Sequence, residues 1–177
     1  MGPVVNLSFY SYRFAEEVLA SDAYRALRDE ILGILNAAPV PRLAKPKTRT
    51  RAGRTYIFTV DQGALNRYLD GEFKGRGWEL QPWIVEDKGT QLKADYKKGR
   101  VQIEAQFGNM ARVIYDLFKL QVSYSRDLID VGIIIVAVQS LAHQIDENIA
   151  HFERLVRELR YAKMSITLPI WVIGVSD

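Results

Sequence analysis

Apolar residues recur at helical spacing in several stretches of this chain of 177 residues. The clearest stripe predicts a first helix over residues 14–36, and it is formed by Val18, Leu19, Leu27, Ile31, Leu32, Ile34 and Leu35. Prolines in the stretch APVPRLAKPK end that helix, because proline removes a backbone donor and clashes with the preceding turn. Further helices are predicted over residues 61–73, with Asp61 as N-cap, and over residues 109–122 and 140–161.

Strands are predicted where β-branched and aromatic residues cluster, over residues 54–60, 83–85, 92–96 and 101–107. Two later runs, IDVGIIIVAV and LPIWVIGV, are apolar throughout, which is typical of strands buried on both faces. Such strands need helices on both sides, so the pattern predicts an α/β protein, a three-layer α/β/α sandwich around a central mixed sheet. No repeat or boundary divides the chain, and residues 1–177 are expected to form a single domain.

Composition excludes several classes of site and of protein. The chain has no cysteine, which excludes a disulfide framework, a thiolate metal site and a cysteine nucleophile. Both apolar runs are too short to span a bilayer, and the first residues lack the basic and apolar regions of a signal peptide. We therefore expect a cytoplasmic protein that makes no membrane contact.

The charge is mildly basic overall, with a net charge of +3, but it is unevenly distributed. Residues 42–54, RLAKPKTRTRAGR, carry several Lys and Arg and no acid. Such a run suits a nucleic-acid backbone, because each neutralised phosphate releases counterions. Lys47, Arg49 and Arg51 are therefore candidate phosphate contacts. A solvated loop that keeps the protein soluble explains the same run.

A possible metal site lies in the stretch ADYKKGRVQIEAQFGN, residues 94–109, which reads as a strand, a tight basic turn and a second strand. Alternation places Glu104 and Gln106 on one face of the second strand, and the hairpin brings Asp95 beside Glu104. Two adjacent carboxylates repel each other unless a cation lies between them. Mg²⁺ fits two carboxylates and a carbonyl, for which Ala105 is the candidate. The alternative is a solvated edge strand.

The same stretch, extended through DLIDVGIIIV to the final LPIWVIGV, resembles the type II restriction endonucleases of the BglII and BstYI kind. An acid, eight residues, and then E-x-Q-F look like this family's version of the PD-(D/E)xK nuclease motif. Upstream, the segments ALN at residues 64–66 and GW at residues 77–78 also resemble the BstYI branch. The resemblance covers most of the chain from about residue 55 onward.

The resemblance implies a restriction-endonuclease-like fold and a homodimeric, Mg²⁺-dependent enzyme that cuts palindromic double-stranded DNA. It implies that Asp95 and Glu104 bind the metal and that Gln106 stands beside them. Sites in this branch are built on a GATC core and are cut to leave four-base 5′ overhangs. A cognate DNA methyltransferase is the expected partner in the cell.

This sequence departs from the general motif at two positions. Ala94 replaces the proline before the first acid, and Gln106 replaces the usual lysine. The second departure is shared within this branch, but it changes the mechanism because glutamine cannot take up a proton. We expect Gln106 to orient the attacking water instead. A further polar residue of the family's site would fall around Glu79 to Gln81.

The resemblance also places base contacts after the E-x-Q-F strand and near the later helix. Asn109 is the first candidate, since an amide can pair bidentately with adenine, and Lys119 on the same helix is the second. Asp146, Glu147 and Asn148 form a third group, in which the acids can accept from cytosine. Asn109 and Asp146 are equally suited to capping a helix.

Two other classes of function remain open from the sequence. One is a repair or junction nuclease on the same fold, and the other is a DNA-binding protein that does not cut. The acid pair favours an enzyme over a protein that only binds. Incubation with plasmid DNA and Mg²⁺ distinguishes discrete fragments, structure-selective nicks and binding without cleavage.

Overall fold

The computed structural model describes residues 5–177, and eight strands and six helices lie within them. The strands are β1 (Asn6–Tyr12), β2 (Arg42–Arg51), β3 (Arg54–Val60), β4 (Glu79–Leu80), β5 (Tyr96–Lys98), β6 (Val101–Gln106), β7 (Val131–Ala137) and β8 (Ile170–Ser176). The helices are α1 (Ala15–Ala20), α2 (Arg25–Asn36), α3 (Gln62–Gly75), α4 (Met110–Ser125), α5 (Gln139–Ile145) and α6 (Phe152–Leu159). None of the helices in the described part is long and apolar enough to cross a membrane.

Six strands form the central sheet in the order β1-β8-β7-β6-β5-β4. The middle strands β6, β7 and β8 are parallel, while β1, β5 and β4 join antiparallel at the two edges. Every residue of β7 is buried, as expected for a continuous apolar run at the centre of a parallel sheet. Strands β2 and β3 form a separate two-stranded hairpin.

Helices cover both faces of the sheet. One apolar core joins residues of α1, α2, α3 and α5 to one face, and a second core joins residues of α4 and α6 to the other. The prediction of a three-layer α/β/α sandwich around a mixed sheet is therefore confirmed. Helix α4 follows directly after β6 and returns across the sheet, so its inner face lies over that strand.

Two predicted helices are each divided in the structure. The helix expected over residues 14–36 is interrupted after α1, where Ser21 is extended and its hydroxyl bonds the Val18 carbonyl. The helix expected over residues 140–161 stops at Ile145, and Asp146 is extended. The chain then forms isolated bridges at Ile149 and His151 before α6 begins. Apolar spacing continued through both breaks, which is why the sequence did not reveal them.

The strand predictions were right for the buried strands and wrong at the edges. Strand β1 was not predicted, and no strand was predicted for the basic run, most of which forms β2. Its proline, Pro46, falls at a register irregularity between Arg42 and Lys47, where a missing donor is tolerated. Residues 83–85 and 92–96 form only an isolated bridge between Trp83 and Lys93, apart from Tyr96, which begins β5.

Candidate functional site

The hairpin of β5 and β6 brings Asp95 against the strand that carries Glu104. Gly99 turns the chain with φ +57°, a conformation that glycine adopts without strain. Pairing of Tyr96 with Ile103 sets the register, so Asp95 lies opposite Glu104. The Asp95 carboxylate accepts a hydrogen bond from the backbone N–H of Ala105 at 2.9 Å. The two acids and the Ala105 peptide therefore meet at the end of the hairpin.

Glu104 is fully buried, and both of its carboxylate oxygens have partners. Oε1 accepts from Nε2 of Gln102 at 2.8 Å, and Oε2 accepts from the ammonium of Lys119. Lys119 projects from α4 and also contacts Asp116, one turn earlier, at 2.9 Å. A buried carboxylate is stable only when it is paired in this way. Lys119 was expected to contact a base, but it is only 6% exposed and it lies beside Glu104.

The Gln106 side chain is held at both ends. Its Oε1 accepts from the backbone N–H of Gly108 at 2.8 Å, and its Nε2 donates to Asp116 at 2.8 Å. A Cβ at position 108 would lie 2.6 Å from that oxygen, so a larger residue there would displace the Gln106 amide. An amide has two lone pairs and two N–H groups, so Gln106 retains one of each for a water or ligand.

The site holds more negative than positive charge. Burial raises the pKa of Asp95, although Lys119 and the Ala105 N–H oppose that rise. Burial and the charge of Asp95 raise the pKa of Glu104 well above its usual range. Burial alone would lower the pKa of Lys119, but Glu104, Asp116 and Asp95 outweigh it and raise the value. Glu104 and Asp116 contact the Lys119 ammonium, and Asp95 acts on it without contact. Three carboxyl groups thus lie near one ammonium, and their ionised forms favour a further cation.

A narrow cleft of about 160 Å³ opens beside Asp95. It is lined by Asn66, Asp70, Gln81, Asp95, Tyr96 and Ala105. The Tyr96 hydroxyl donates to Asp70 at 2.7 Å, and burial raises the pKa of this tyrosine. Asp70 was missed by sequence reasoning, since nothing but the fold brings α3 to this edge of the hairpin.

Asp95 and Ala105 line this cleft, whereas Glu104, beside Asp95 on the neighbouring strand, is fully buried. Within residues 5–177, no three His, Cys, Asp or Glu side chains converge as a metal cluster. Asp95, Glu104 and the Ala105 carbonyl instead offer two carboxylates and one backbone oxygen. Mg²⁺ is commonly bound by one or two carboxylates with water completing its shell, so this donor set fits magnesium.

A second concave surface, which we call the groove, has a volume of about 770 Å³. Its walls are the β2–β3 hairpin, the start of α4 and the segment after α5. Five of the predicted DNA contacts line it: Lys47, Arg49, Asn109, Asp146 and Asn148. Arg51, Glu147 and Asn148 line an adjoining pocket. The fold thus gathers all the predicted DNA-contact residues except Lys119 on one surface.

Ion pairs connect the two sides of the groove. Arg49 contacts Asp146 at 2.9 Å, and Arg51 contacts Glu147 at 3.6 Å. Lys47 and Arg112 pair with no acid in the described part of the chain. Arg112 was not predicted, although its place three residues after Asn109 on a helix is visible in the sequence. The groove therefore carries two cations that no acid compensates.

Asn109 combines a structural contact with a position in the groove. Its Oδ1 accepts from the backbone N–H of Arg112 at 3.2 Å, which makes it the N-cap of α4. It also forms a β-bridge with Ile149, and the N–H of Ala150 donates to the Gly108 carbonyl at 2.7 Å. The side-chain NH₂ of Asn109, which the cap does not use, remains available to a ligand.

Comparison with known proteins gave one family and one fold. Residues 7–175 match the profile of the family described as restriction endonuclease BglII/BglIII. The crystal structure of restriction endonuclease BglII complexed with a DNA 16-mer superposes with a TM-score of 0.79 and 18% identity, covering 96% of this chain and 75% of that chain. Free BglII gives a TM-score of 0.69 and 18% identity, covering 97% and 80%. No curated protein sequence matched significantly.

Proposed function

Because the chain belongs to the BglII/BglIII restriction endonuclease family, we propose that it makes Mg²⁺-dependent double-strand cuts in palindromic duplex DNA. Membership makes it a type II restriction enzyme acting on DNA, and its fold is that of BglII. We propose, in addition, the magnesium requirement, the target sequence and the dimeric assembly. The observation that carries it is the hydrogen bond from Ala105 to Asp95 at 2.9 Å, which brings the two acids together.

We assign the metal to Asp95, Glu104 and the Ala105 carbonyl. A divalent ion held there would stabilise charge on the scissile phosphate and lower the pKa of an attacking water. Burial raises the pKa of both acids, and the charge of Asp95 adds to the rise at Glu104, so a cation that favours their ionised forms would be bound there. Gln106 orients the water through its remaining lone pair or N–H, and a nearby phosphate or bulk water accepts the proton.

DNA lies in the groove. Lys47 and Arg112 face it without an acidic partner in the described residues, so phosphate oxygens are their natural ligands. Arg49 and Arg51 reach phosphates by exchanging their contacts with Asp146 and Glu147. Asn109 reads a base edge in the major groove, where all four base pairs are distinguishable. Asp146, Glu147 and Asn148 are candidate contacts to the remaining base pairs.

A second copy of the chain completes the enzyme. A palindrome is read by a two-fold dimer with one active site for each strand. Helix α4 exposes Ile114, Tyr115 and Phe118 at 49%, 45% and 51% on its outer face. Tyr115 and Phe118 stack with ring centroids 6.0 Å apart. An apolar patch of this kind on a charged surface is typical of an interface, so we place α4 near the two-fold axis.

The target is proposed to have a GATC core, cut to leave four-base 5′ overhangs. The turn QFGNM, which follows the strand bearing Glu104, supports this through its resemblance to the BglII and BstYI branch. The outer base pair stays open. A cognate DNA methyltransferase protects the same sites in the cell.

Digestion of plasmid and genomic DNA with Mg²⁺ tests the proposal. We expect discrete fragments, and sequencing of their ends should return one palindrome containing GATC. Nicks confined to junctions or damaged sites would show a repair nuclease instead. Tight binding without cleavage in Mg²⁺ would show a protein that only binds DNA. Fragment ends that share a motif lacking GATC would support the proposed cleavage and refute the proposed target.

A further inference from the structure

Three polar side chains of α4 pair one by one with three of β6, inside a layer whose other members are apolar. Ser123 donates to Gln102 at 2.6 Å, Lys119 contacts Glu104, and Asp116 accepts from Gln106 at 2.8 Å. The α4 residues lie three and four positions apart, and the β6 residues lie two apart. A helix repeats its face every three to four residues and a strand every two, so the three side chains of α4 and the three of β6 face each other. We call this set the buried polar row.

Burying the side chains of this row costs folding free energy unless each one has a hydrogen-bond or ion-pair partner. Gln102 and Glu104 are 0% exposed, and Asp116, Lys119 and Ser123 are at most 6% exposed. Each makes at least one hydrogen bond or ion pair within the row. Apolar neighbours, among them Val113, Leu117 and Leu120, surround it. Residues at these positions could have packed as an ordinary core, so the row indicates a role beyond packing.

Lys119 is the central member of this row. Its side chain is buried, and its ammonium bridges Glu104 and Asp116. Glu104 is thereby held through Lys119 on one oxygen and Gln102 on the other. Gln106 is anchored on the same Asp116. Glu104 and Gln106 thus both take their orientation from α4.

We propose that Lys119 is a positioning residue of the candidate active site, and that Asp116 acts through it. Strand β6 carries no cation, so α4 supplies the fixed positive charge that holds the Glu104 carboxylate in one orientation for a divalent ion. Lys119 is also too buried to reach a base. The assignment rests on the proposed function, because Glu104 is a metal ligand only if that proposal holds.

Binding of Mn²⁺ to the DNA-free protein, measured by calorimetry at one fixed pH, tests this assignment without any cleavage. Lys119→Met removes the charge and keeps the shape, and Lys119→Arg keeps the charge. We expect Lys119→Met to weaken Mn²⁺ binding by about 10–100-fold, as when a group that orients a metal ligand is lost. Lys119→Arg should recover most of that loss.

The matched control is Lys98→Met. Lys98 contacts Glu30 at 3.0 Å and is partly buried, but it lies at the turn of the hairpin and touches none of the row. Its loss should destabilise the fold moderately and leave Mn²⁺ affinity unchanged. Thermal melts identify variants that do not fold. If Lys119→Met fails to fold, Asp116→Asn carries the test, and it too should weaken Mn²⁺ binding.

A double-mutant cycle then tests whether Asp116 acts through Lys119 or independently of it. Asp116 also anchors Gln106, which is not a proposed metal ligand, so the cycle is measured in Mn²⁺ binding. Lys119→Met combined with Asp116→Asn should bind Mn²⁺ no more weakly than Lys119→Met alone. Folded variants that bind Mn²⁺ as tightly as wild type, or more tightly, would overturn the assignment. A wild-type protein that binds no Mn²⁺ would instead refute the proposed function, and the assignment with it.

Discussion

The Arg49 guanidinium contacts the Asp146 carboxylate at 2.9 Å, and this ion pair joins the β2–β3 hairpin to the segment after α5. Its two side chains are 52% and 37% exposed, so solvent screens the pair and its contribution to stability is small. Such a contact exchanges readily for a phosphate. Arg49 therefore lies at the groove in a weak ion pair, in which a DNA phosphate could replace the Asp146 carboxylate.

The first prediction concerns these cations. Lys47→Ala, Arg49→Ala and Arg51→Ala should each weaken binding to all DNA sequences alike, and should lower the salt slope of binding by about 1. Asp146→Asn should instead strengthen non-specific DNA binding, because it frees Arg49 from its ion pair. Filter binding across a salt series measures both effects. Arg157→Ala, an exposed change on α6 outside the groove, is the control and should alter neither quantity.

The second prediction concerns the acids. Asp95→Ala or Glu104→Ala should abolish Mg²⁺-dependent cleavage while the fold is retained. DNA affinity measured without metal should stay the same or rise, because a carboxylate that repels phosphate is gone. Gel shifts and a cleavage assay on one substrate separate the two quantities. Near-normal cleavage by a folded Glu104→Ala variant would contradict the metal assignment.

The third prediction concerns Asn109, which is both an N-cap and a candidate base contact. Asn109→Ala should lower stability by about 1 kcal/mol through the lost cap. It should also cost about 1–3 kcal/mol of discrimination at an inner base pair. Asn109→Ser keeps a capping oxygen and removes the amide, so it should lose discrimination alone. If Asn109→Ser discriminates as wild type does, Asn109 only caps the helix.

The fourth prediction concerns assembly. Phe118→Glu places a charge in the exposed apolar patch of α4 and should convert a dimer into a monomer. Double-strand cuts should then give way to single-strand nicks, because each strand needs its own active site. Sedimentation with and without DNA measures the state. Tyr161→Glu, at an exposed aromatic outside α4, is the matched control. Wild-type protein that sediments as a monomer on DNA at micromolar concentration would refute the dimer.

Sequence patterns recovered the parts of this fold that packing dictates. Strand β7, and β8 up to Val175, are apolar because both faces are covered, and β6 alternates because its polar face meets α4. Strand β2 was missed because its side chains are exposed and carry no apolar alternation. The break after Ile145 was missed because Ile149 and Phe152 continue the helical spacing. Tertiary bridges, which local sequence does not encode, hold that segment extended.

The site was partly visible for the same reason. Asp95 and Glu104 could be paired from the hairpin length alone, and their contact through Ala105 follows from strand register. Lys119 was assigned to DNA because its helix follows the strand that carries Glu104. Its spacing from Asp116 and Ser123, three and four residues, places all three on the inner face beside Leu120. That pattern, matched to the polar face of β6, was the signal that could have located Lys119 correctly.

The last prediction concerns pH. Burial raises the pKa of Asp95 above its ordinary value of 3.8 and that of Glu104 above 4.5. Below those ordinary values both groups are protonated in the folded and unfolded protein, so their contribution is fully present. As pH rises, the unfolded chain ionises first, and metal-free protein should lose stability until the raised pKa values are passed. Divalent ions bind the ionised pair and should remove that loss.

Asp130, whose pKa is lowered mainly by a hydrogen bond from Arg100, contributes stability that is present above its ordinary value of 3.8 and is lost as pH falls below it. The stability of wild type is therefore compared with that of the Asp95→Asn/Glu104→Gln double variant, because both proteins keep Asp130. Melting curves from pH 4 to 8, in chelator and in Ca²⁺, should diverge for wild type and coincide for the variant. Because a bound cation favours the ionised form of both acids, wild-type curves that coincide in chelator and Ca²⁺ would show that no divalent ion binds there.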